Sequence, residues 1–201
     1  VNVRVEGLLA ALSQSACSGG FRGGGWRSWT IGDAPLLPVA AIEGDSGGRS
    51  HTRMLFVDNL DSFSLNIANT FASLGAEVVV VSGRGAGSPS LEEALGSIGP
   101  TSVLLGPGPG RPEMCQLTMA LARRALDGSL GMPLLGVCLG HQALALAAGW
   151  EVAPSPLGAV HGVPEEIYHD GRQLFAQLPS PTRMVRYNSL VVRPPPDLWA
   201  G

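Results

Sequence analysis

The sequence predicts an open α/β sheet, mostly parallel and wound on both faces by helices. Three observations carry this expectation. Short apolar or β-branched runs, Leu55 to Val57, Glu77 to Val81, Thr101 to Leu105 and Pro133 to Val137, recur along residues 54–201. Amphipathic helical stretches separate them. The crossovers are long enough for parallel pairing, and parallel strands covered on both faces read as continuous apolar runs.

The elements follow in order. Leu55 to Val57 ends at Asp58-Asn59, and Asp61 and Ser62 are candidate N-caps for a helix whose apolar face is Phe63, Ile67, Phe71 and Leu74. Gly75 is placed to stop it in the left-handed conformation. Glu77 to Val81 is a buried strand, Leu91 to Ile98 a short helix and Thr101 to Leu105 a third strand. Met114, Leu117, Leu121 and Ala125 form the apolar face of a helix stopped by Gly128. Pro133 to Val137 is the fourth strand, and Leu139 to Ala148 a helix closed by Gly149. Short strands are expected around Glu151 to Ala153, Glu166 to Tyr168 and Met184 to Val192. There is no internal repeat.

Residues 1–53 differ in kind. Glycines, among them Gly19-Gly20, Gly23 to Gly25 and Gly47-Gly48, interrupt each apolar run before it reaches the length of an element. The segment is expected to be a poorly ordered extension or linker, and 54–201 the folded domain. The chain opens on Val rather than Met, so it is expected to be a fragment, and Met54 would serve as a natural start.

Composition excludes several kinds of function. There is no Lys, so neither a P-loop nor Schiff-base chemistry is available. The formal charge is -3 and no basic cluster exceeds Arg123-Arg124, which argues against a nucleic-acid or anionic-membrane surface. Cys17, Cys115 and Cys138 are odd in number and unrelated in spacing, fitting neither a disulfide framework nor a metal site, so a reducing, cytoplasmic setting is expected. The longest apolar runs, such as Ala34 to Ile42 with its two prolines, fall short of a bilayer span.

Open α/β sheets place ligands beyond the carboxyl ends of their strands, which directs attention to Asp58-Asn59, Gly106 to Gly110 and Gly136 to Gly140. Gly136-Val137-Cys138-Leu139-Gly140 has the layout of a nucleophile elbow, a strand and a helix joined by a sharp turn that exposes the Cys138 side chain. A helix N-terminus should lower the thiol pKa, and the Leu139 N–H should point where an oxyanion would form. Cys17 and Cys115 read as core. Gly106-Pro107-Gly108-Pro109-Gly110-Arg111-Pro112 can neither extend a helix nor pair as a central strand, so it should be a rigid, exposed loop offering N–H groups to a carbonyl or carboxylate. It lacks the Lys of a phosphate loop.

Four segments, Asp58-Asn59-Leu60-Asp61-Ser62-Phe63, Gly108-Pro109-Gly110-Arg111-Pro112, Gly136 to Gln142 and Arg186-Tyr187-Asn188-Ser189-Leu190, together resemble the class I glutamine amidotransferases. The first and last resemble the branch serving chorismate-using enzymes, anthranilate synthase and aminodeoxychorismate synthase. The resemblance covers Met54 to Gly201. It implies a flavodoxin-like sheet, incomplete at the C-terminus, and a Cys138 that attacks the side-chain amide of L-glutamine to form a thioester and release ammonia. It further implies that the N–H groups of Gly108 and Leu139 hold the oxyanion. Gly110, the side chain of Gln142 and the backbone of Ser189 and Leu190 would hold the amino-acid end of the substrate. No cofactor is implied, and the partner would be a chorismate-binding synthase subunit or fused domain; the segment Val185 to Val192 leans towards aminodeoxychorismate as product.

The family's general base and its orienting carboxylate come from a His-x-Glu pair beyond the last motif, and none of the four histidines here is followed by x-Glu. The chain is therefore expected to be truncated and to have little glutaminase activity. His141, His161 and His169 read as structural or solvent-exposed, His169-Asp170-Gly171 as a hairpin turn. Asn188 stands where the family usually has His and Gly106 where it usually has Ser. Two alternatives remain open: a cysteine-nucleophile α/β-hydrolase, against which the Gly-Pro loop and Gln142 argue, and a non-catalytic relic or regulatory module docking on a synthase.

Overall fold

The computed structural model of the protein describes residues 37–39 and 52–196. Its core is a five-stranded sheet of β1 (Leu37–Val39), β2 (Arg53–Asp58), β3 (Glu77–Ser82), β4 (Ser102–Leu105) and β5 (Leu134–Gly136), in the order β1-β3-β2-β4-β5. Strands β2 to β5 are parallel, with Leu55 in register with both Val79 and Val103, and Val103 with Leu134. The edge strand β1 runs antiparallel to β3. It is an addition to the sequence reading, and Pro38 at its centre suits an edge, where one side of the backbone needs no donor. The remaining expectation for residues 1–53, and Cys17 with it, lies outside the described residues.

Alternation along β2 divides the core. Leu55 and Val57 point into one apolar cluster with Val79, Val81, Val103 and Leu105; Met54 and Phe56 point into the other with Val78 and Leu104. Helix α1 (Ser64–Ser73) covers the second face through Ala68 and Ala72. Helices α2 (Leu91–Gly96), α3 (Gln116–Leu126) and α4 (Leu139–Ala147) cover the first through Ala94, Leu117, Leu121 and Ala143. The sheet is thus wound on both faces. Because β2 has β3 on one side and β4 on the other, the order reverses at β2, and the crevice opens beyond the ends of β2 and β4.

Several details depart from the periodicity. α1 begins at Ser64, and its buried line is Ser64, Ala68 and Ala72, with Ile67 and Phe71 packed beside it, while Phe63 is 59% exposed. Neither Asp61 nor Ser62 caps it: the N-cap position is Phe63, without a side-chain cap, and Asp61 instead accepts the Phe63 N–H at 2.8 Å in a turn before the helix. Met114 lies in a 3₁₀ turn, Pro112–Met114, and is exposed, since the Arg111-Pro112 turn delays α3 by two residues. α2 carries a capping box absent from the sequence reading: Ser90 Oγ accepts the Glu93 N–H and the Glu93 carboxylate accepts the Ser90 N–H.

The chain then leaves the main sheet. β6 (Glu151–Pro154) pairs antiparallel with β9 (Leu190–Arg193), and β7 (Val160–Ile167) with β8 (Thr182–Asn188). The expected single strand Met184 to Val192 is two strands broken at Ser189, whose carbonyl accepts the Ser155 N–H at 2.9 Å. Tyr168 lies just past the end of β7. His169-Asp170-Gly171 is not a tight hairpin turn; it opens a long connection that includes a 3₁₀ turn at Gln173–Phe175.

Candidate active site

The elbow is built by sterics. Cys138 adopts φ 53°, ψ −108°, a conformation a side chain tolerates only where its surroundings enforce it. A Cβ on Gly136 would fall 2.6 Å from the Gly140 carbonyl carbon, and one on Gly140 would overlap the carbonyl of Leu105. Both glycines let the turn close and α4 press against β4. Val137 N donates to Leu105 O at 2.9 Å and Gln142 N to Cys138 O at 3.0 Å, so the turn is held on either side of the cysteine.

The sulfur's surroundings pull in two directions. Loss of water pushes the Cys138 thiol up from its usual range, and the Asp61 carboxylate adds to the rise. The backbone N–H groups of Leu139 and Gly108 act the other way, favouring the thiolate. The residue is exposed, as expected, yet the net direction is upward, against the expectation of a depressed pKa: water lost around the sulfur itself outweighs the helix N-terminus. At neutral pH the group rests as a thiol and needs a base to become a nucleophile. Leu139 and Gly108, far apart in sequence, thus both act on the same thiol.

The Gly-Pro loop is buried at its root and exposed at its tip. Gly106 and Pro107 are buried, whereas Pro109 and Gly110 are exposed, so the expectation of a wholly exposed loop holds only for its second half. Gly106 N donates to Val57 O at 2.8 Å. Arg84 Nη2 donates to the Pro109 carbonyl at 2.7 Å, and Arg111 Nη2 to the Val152 carbonyl at 3.0 Å, tying the loop to the end of β3 and to β6. Asn59, fully buried, donates from Nδ2 to Gly106 O at 2.9 Å and accepts at Oδ1 from Thr118 Oγ1 at 2.7 Å.

The other expected residues fall around this centre. Gln142 lies one turn into α4 and is 8% exposed. Gly110 sits at φ 79°, a conformation that favours glycine, at the loop tip. Ser189 and Leu190 lie at the start of β9, a strand packed against α4, with Asn188 Nδ2 donating to Leu190 O at 3.1 Å. The histidines stand apart in role. His161 stacks on Tyr187 with ring centroids 4.4 Å apart. His169 stacks on Phe175, its Nε2 lies 2.9 Å from Pro179 O, and its Nδ1 accepts the Gly171 N–H. His141, in the first turn of α4, is held below the usual imidazole range by loss of water. Among the described residues no group of three or more His, Cys, Asp or Glu is placed to hold a metal, and no helix is long and apolar enough to cross a membrane.

Sequence reasoning missed Thr118 and Arg84. Neither lies in a motif; Arg84 meets the loop, and Thr118 meets Asn59, only because the fold brings the end of β3 and α3 beside them. Asp61 was legible as a candidate cap but not as a charge acting on Cys138.

Comparison with known proteins agrees with this geometry. The family model described as glutamine amidotransferase class-I matches residues 55–200. Anthranilate synthase component 2 of Azospirillum brasilense is 38% identical over 139 residues, covering 69% of this chain and 67% of that protein. Aminodeoxychorismate synthase of Streptomyces pristinaespiralis is 43% identical over 152 residues, covering 74% of this chain but 20% of that protein. A glutamine amidotransferase from Thermotoga maritima shares the fold with a TM-score of 0.56 at 19% identity, over 74% of this chain and 65% of that one.

Proposed function

The chain belongs to the class I glutamine amidotransferase family, and from that premise we propose that Cys138 carries glutamine hydrolysis whose ammonia serves a chorismate-using synthase. The single observation that carries the site assignment is the elbow itself: Cys138, exposed at φ 53° where β5 gives way to α4, closed by Gly136 and Gly140, with the Leu139 and Gly108 N–H groups favouring its thiolate. An oxyanion formed on a carbon bonded to that sulfur lies within reach of the same two donors.

The steps follow. The Cys138 thiolate adds to the amide carbon of glutamine, and the carbonyl oxygen takes the negative charge between the two N–H groups. Collapse breaks the C–N bond, the nitrogen takes a proton and leaves as ammonia, and a glutamyl thioester remains. Water then cleaves the thioester, returning the thiol and releasing glutamate. The amino-acid end of the substrate is held by Gly110, the Gln142 side chain and the backbone of Ser189 and Leu190. No cofactor takes part.

A base must take the proton of a thiol whose pKa is raised. His161 and His169 are engaged with the β7–β8 region, and His141 belongs to the elbow helix. With no base among these three, the chain is expected to form the thioester slowly. Relatives named for anthranilate and for aminodeoxychorismate synthesis match about equally, so the shared chemistry, amination of chorismate, is the proposal. The free thiols Cys115 and Cys138 suit the cytoplasm.

The test is covalent labelling. The chloroketone analogue of glutamine should alkylate Cys138, its carbon bonding to the sulfur as chloride leaves, and glutamine should block it. A chain that is labelled equally well in saturating glutamine, or whose Cys138→Ala variant is labelled as fast, overturns the reading.

A further inference from the structure

We propose that Asn59 is a positioning residue for the reaction: it sets the Gly108 N–H, one of the two oxyanion donors, by clamping the root of the Gly-Pro loop. The inference rests on the active-site reading above and names what aims one of its two donors.

Asn59 directly follows β2, at the point where the order of the sheet reverses, and it is fully buried. A buried carboxamide must satisfy both a donor and an acceptor, and each end here meets a different element. Nδ2 donates to the Gly106 carbonyl at 2.9 Å, on the loop itself. Oδ1 accepts from Thr118 Oγ1 at 2.7 Å, on α3. The Thr118 hydroxyl thereby fixes which end of the amide faces the loop. The fit is also steric. A Cβ on Gly108 would lie 2.5 Å from Asn59 Cβ, and a Cβ on Gly83 would meet Asn59 Oδ1, so the asparagine is wedged between the loops that follow β3 and β4.

One residue, Pro107, separates the clamped Gly106 carbonyl from the Gly108 N–H, and its ring restricts the backbone between them. Rotation of the Gly106 peptide would therefore swing the Gly108 donor off the sulfur. The other donor, Leu139, rides on α4 and is independent of Asn59. The clamp thus governs one donor of two. Aspartate could accept from Thr118 but, ionised, could not donate to Gly106; leucine could do neither. Only a carboxamide of this length meets both partners.

The test compares two alkylation rates of Cys138 in the full chain: by the chloroketone analogue of glutamine, which builds charge on a carbonyl oxygen, and by iodoacetamide, which displaces iodide directly. Their ratio cancels the thiolate fraction. Asn59→Asp, nearly isosteric, should lower that ratio about tenfold or more, through the limiting inactivation rate and not the half-saturating concentration, since loss of a full oxyanion donor costs about 10²–10³. Thr118→Val, which keeps shape and leaves the clamp less well oriented, should lower it about threefold by the same scale. A merely structural role would lower both alkylation rates together or shift the half-saturating concentration. Ratios within twofold of the unsubstituted chain in both variants overturn the proposal; if Asn59→Asp does not fold, Thr118→Val alone decides by the same criterion. An unsubstituted chain that the chloroketone does not label, or labels despite glutamine, overturns the active-site reading itself and the inference with it.

Discussion

Gly140, in the first turn of α4, lies so close to the main-chain carbonyl of Leu105 at the end of β4 that no side chain fits between them. The contact joins the helix that begins at the nucleophile to the strand that leads into the Gly-Pro loop. It is a main-chain contact, and neither partner can yield by changing rotamer. The two arms of the site are therefore set against each other by backbone.

Gly140→Ala should consequently be costly despite its small size. Overpacking of this kind costs about 1–3 kcal/mol. Urea denaturation should show that loss, together with slower chloroketone labelling of Cys138 as α4 and Leu139 are displaced. A loss below about 0.5 kcal/mol would mean that α4 slides freely along β4.

Gly108→Ala tests the other arm. The new Cβ would meet the Asn59 backbone and Cβ, forcing the loop outward and taking its N–H off the sulfur. Chloroketone labelling should fall by about 10²-fold, the cost of an oxyanion donor. Iodoacetamide should also act more slowly near pH 7, because that N–H holds the thiol pKa down. Unchanged chloroketone labelling would remove Gly108 from the oxyanion site.

Asp61→Asn should move the thiol in the opposite direction. The Asp61 carboxylate disfavours the Cys138 thiolate, so its removal lowers the pKa, and the amide can still accept the Phe63 N–H. The pH profile of iodoacetamide alkylation should shift to lower pH. A midpoint that stays in place or rises would show that Asp61 does not act on the sulfur.

Acid should destabilise the chain through particular carboxylates. The Glu93 carboxyl is held below its usual range by the Ser90 N–H and hydroxyl, Glu113 by Arg111, and Asp127 by Ser129. Each folded-state pKa lies below the unfolded one, so the stability it contributes is present above pH ~4 and is lost as pH falls through the folded values. Ser90→Ala should cost about 1 kcal/mol at neutral pH, as capping residues do, and flatten part of the acid limb of a stability profile. An unaltered acid limb in that variant would place the loss elsewhere.

The main sheet was legible because strands buried on both faces must be continuous apolar runs. Glu77 to Val81 and Thr101 to Leu105 have no other use in a folded chain, and both became central strands. The elbow was legible for a related reason: two glycines flanking a cysteine between strand and helix leave few foldings open. Reading Phe63 and Met114 as core failed because helical period alone does not tell where a helix begins, and a turn before each helix rotated both residues outward. The thiol pKa was misjudged because a helix N-terminus is visible in sequence, whereas desolvation is a property of everything packed nearby.

By itself the sequence determined the strands, the sharp turn at Cys138, the Gly-Pro loop and the family. Those depend on local backbone limits and on short motifs, which a chain carries before it folds. Only the tertiary structure decided that the Gly108 N–H and the Asp61 carboxylate act in opposite senses on the Cys138 thiol, and that Asn59 braces the loop against Thr118. Each joins residues distant in sequence, so it exists only once the parallel strands have brought their carboxyl ends together.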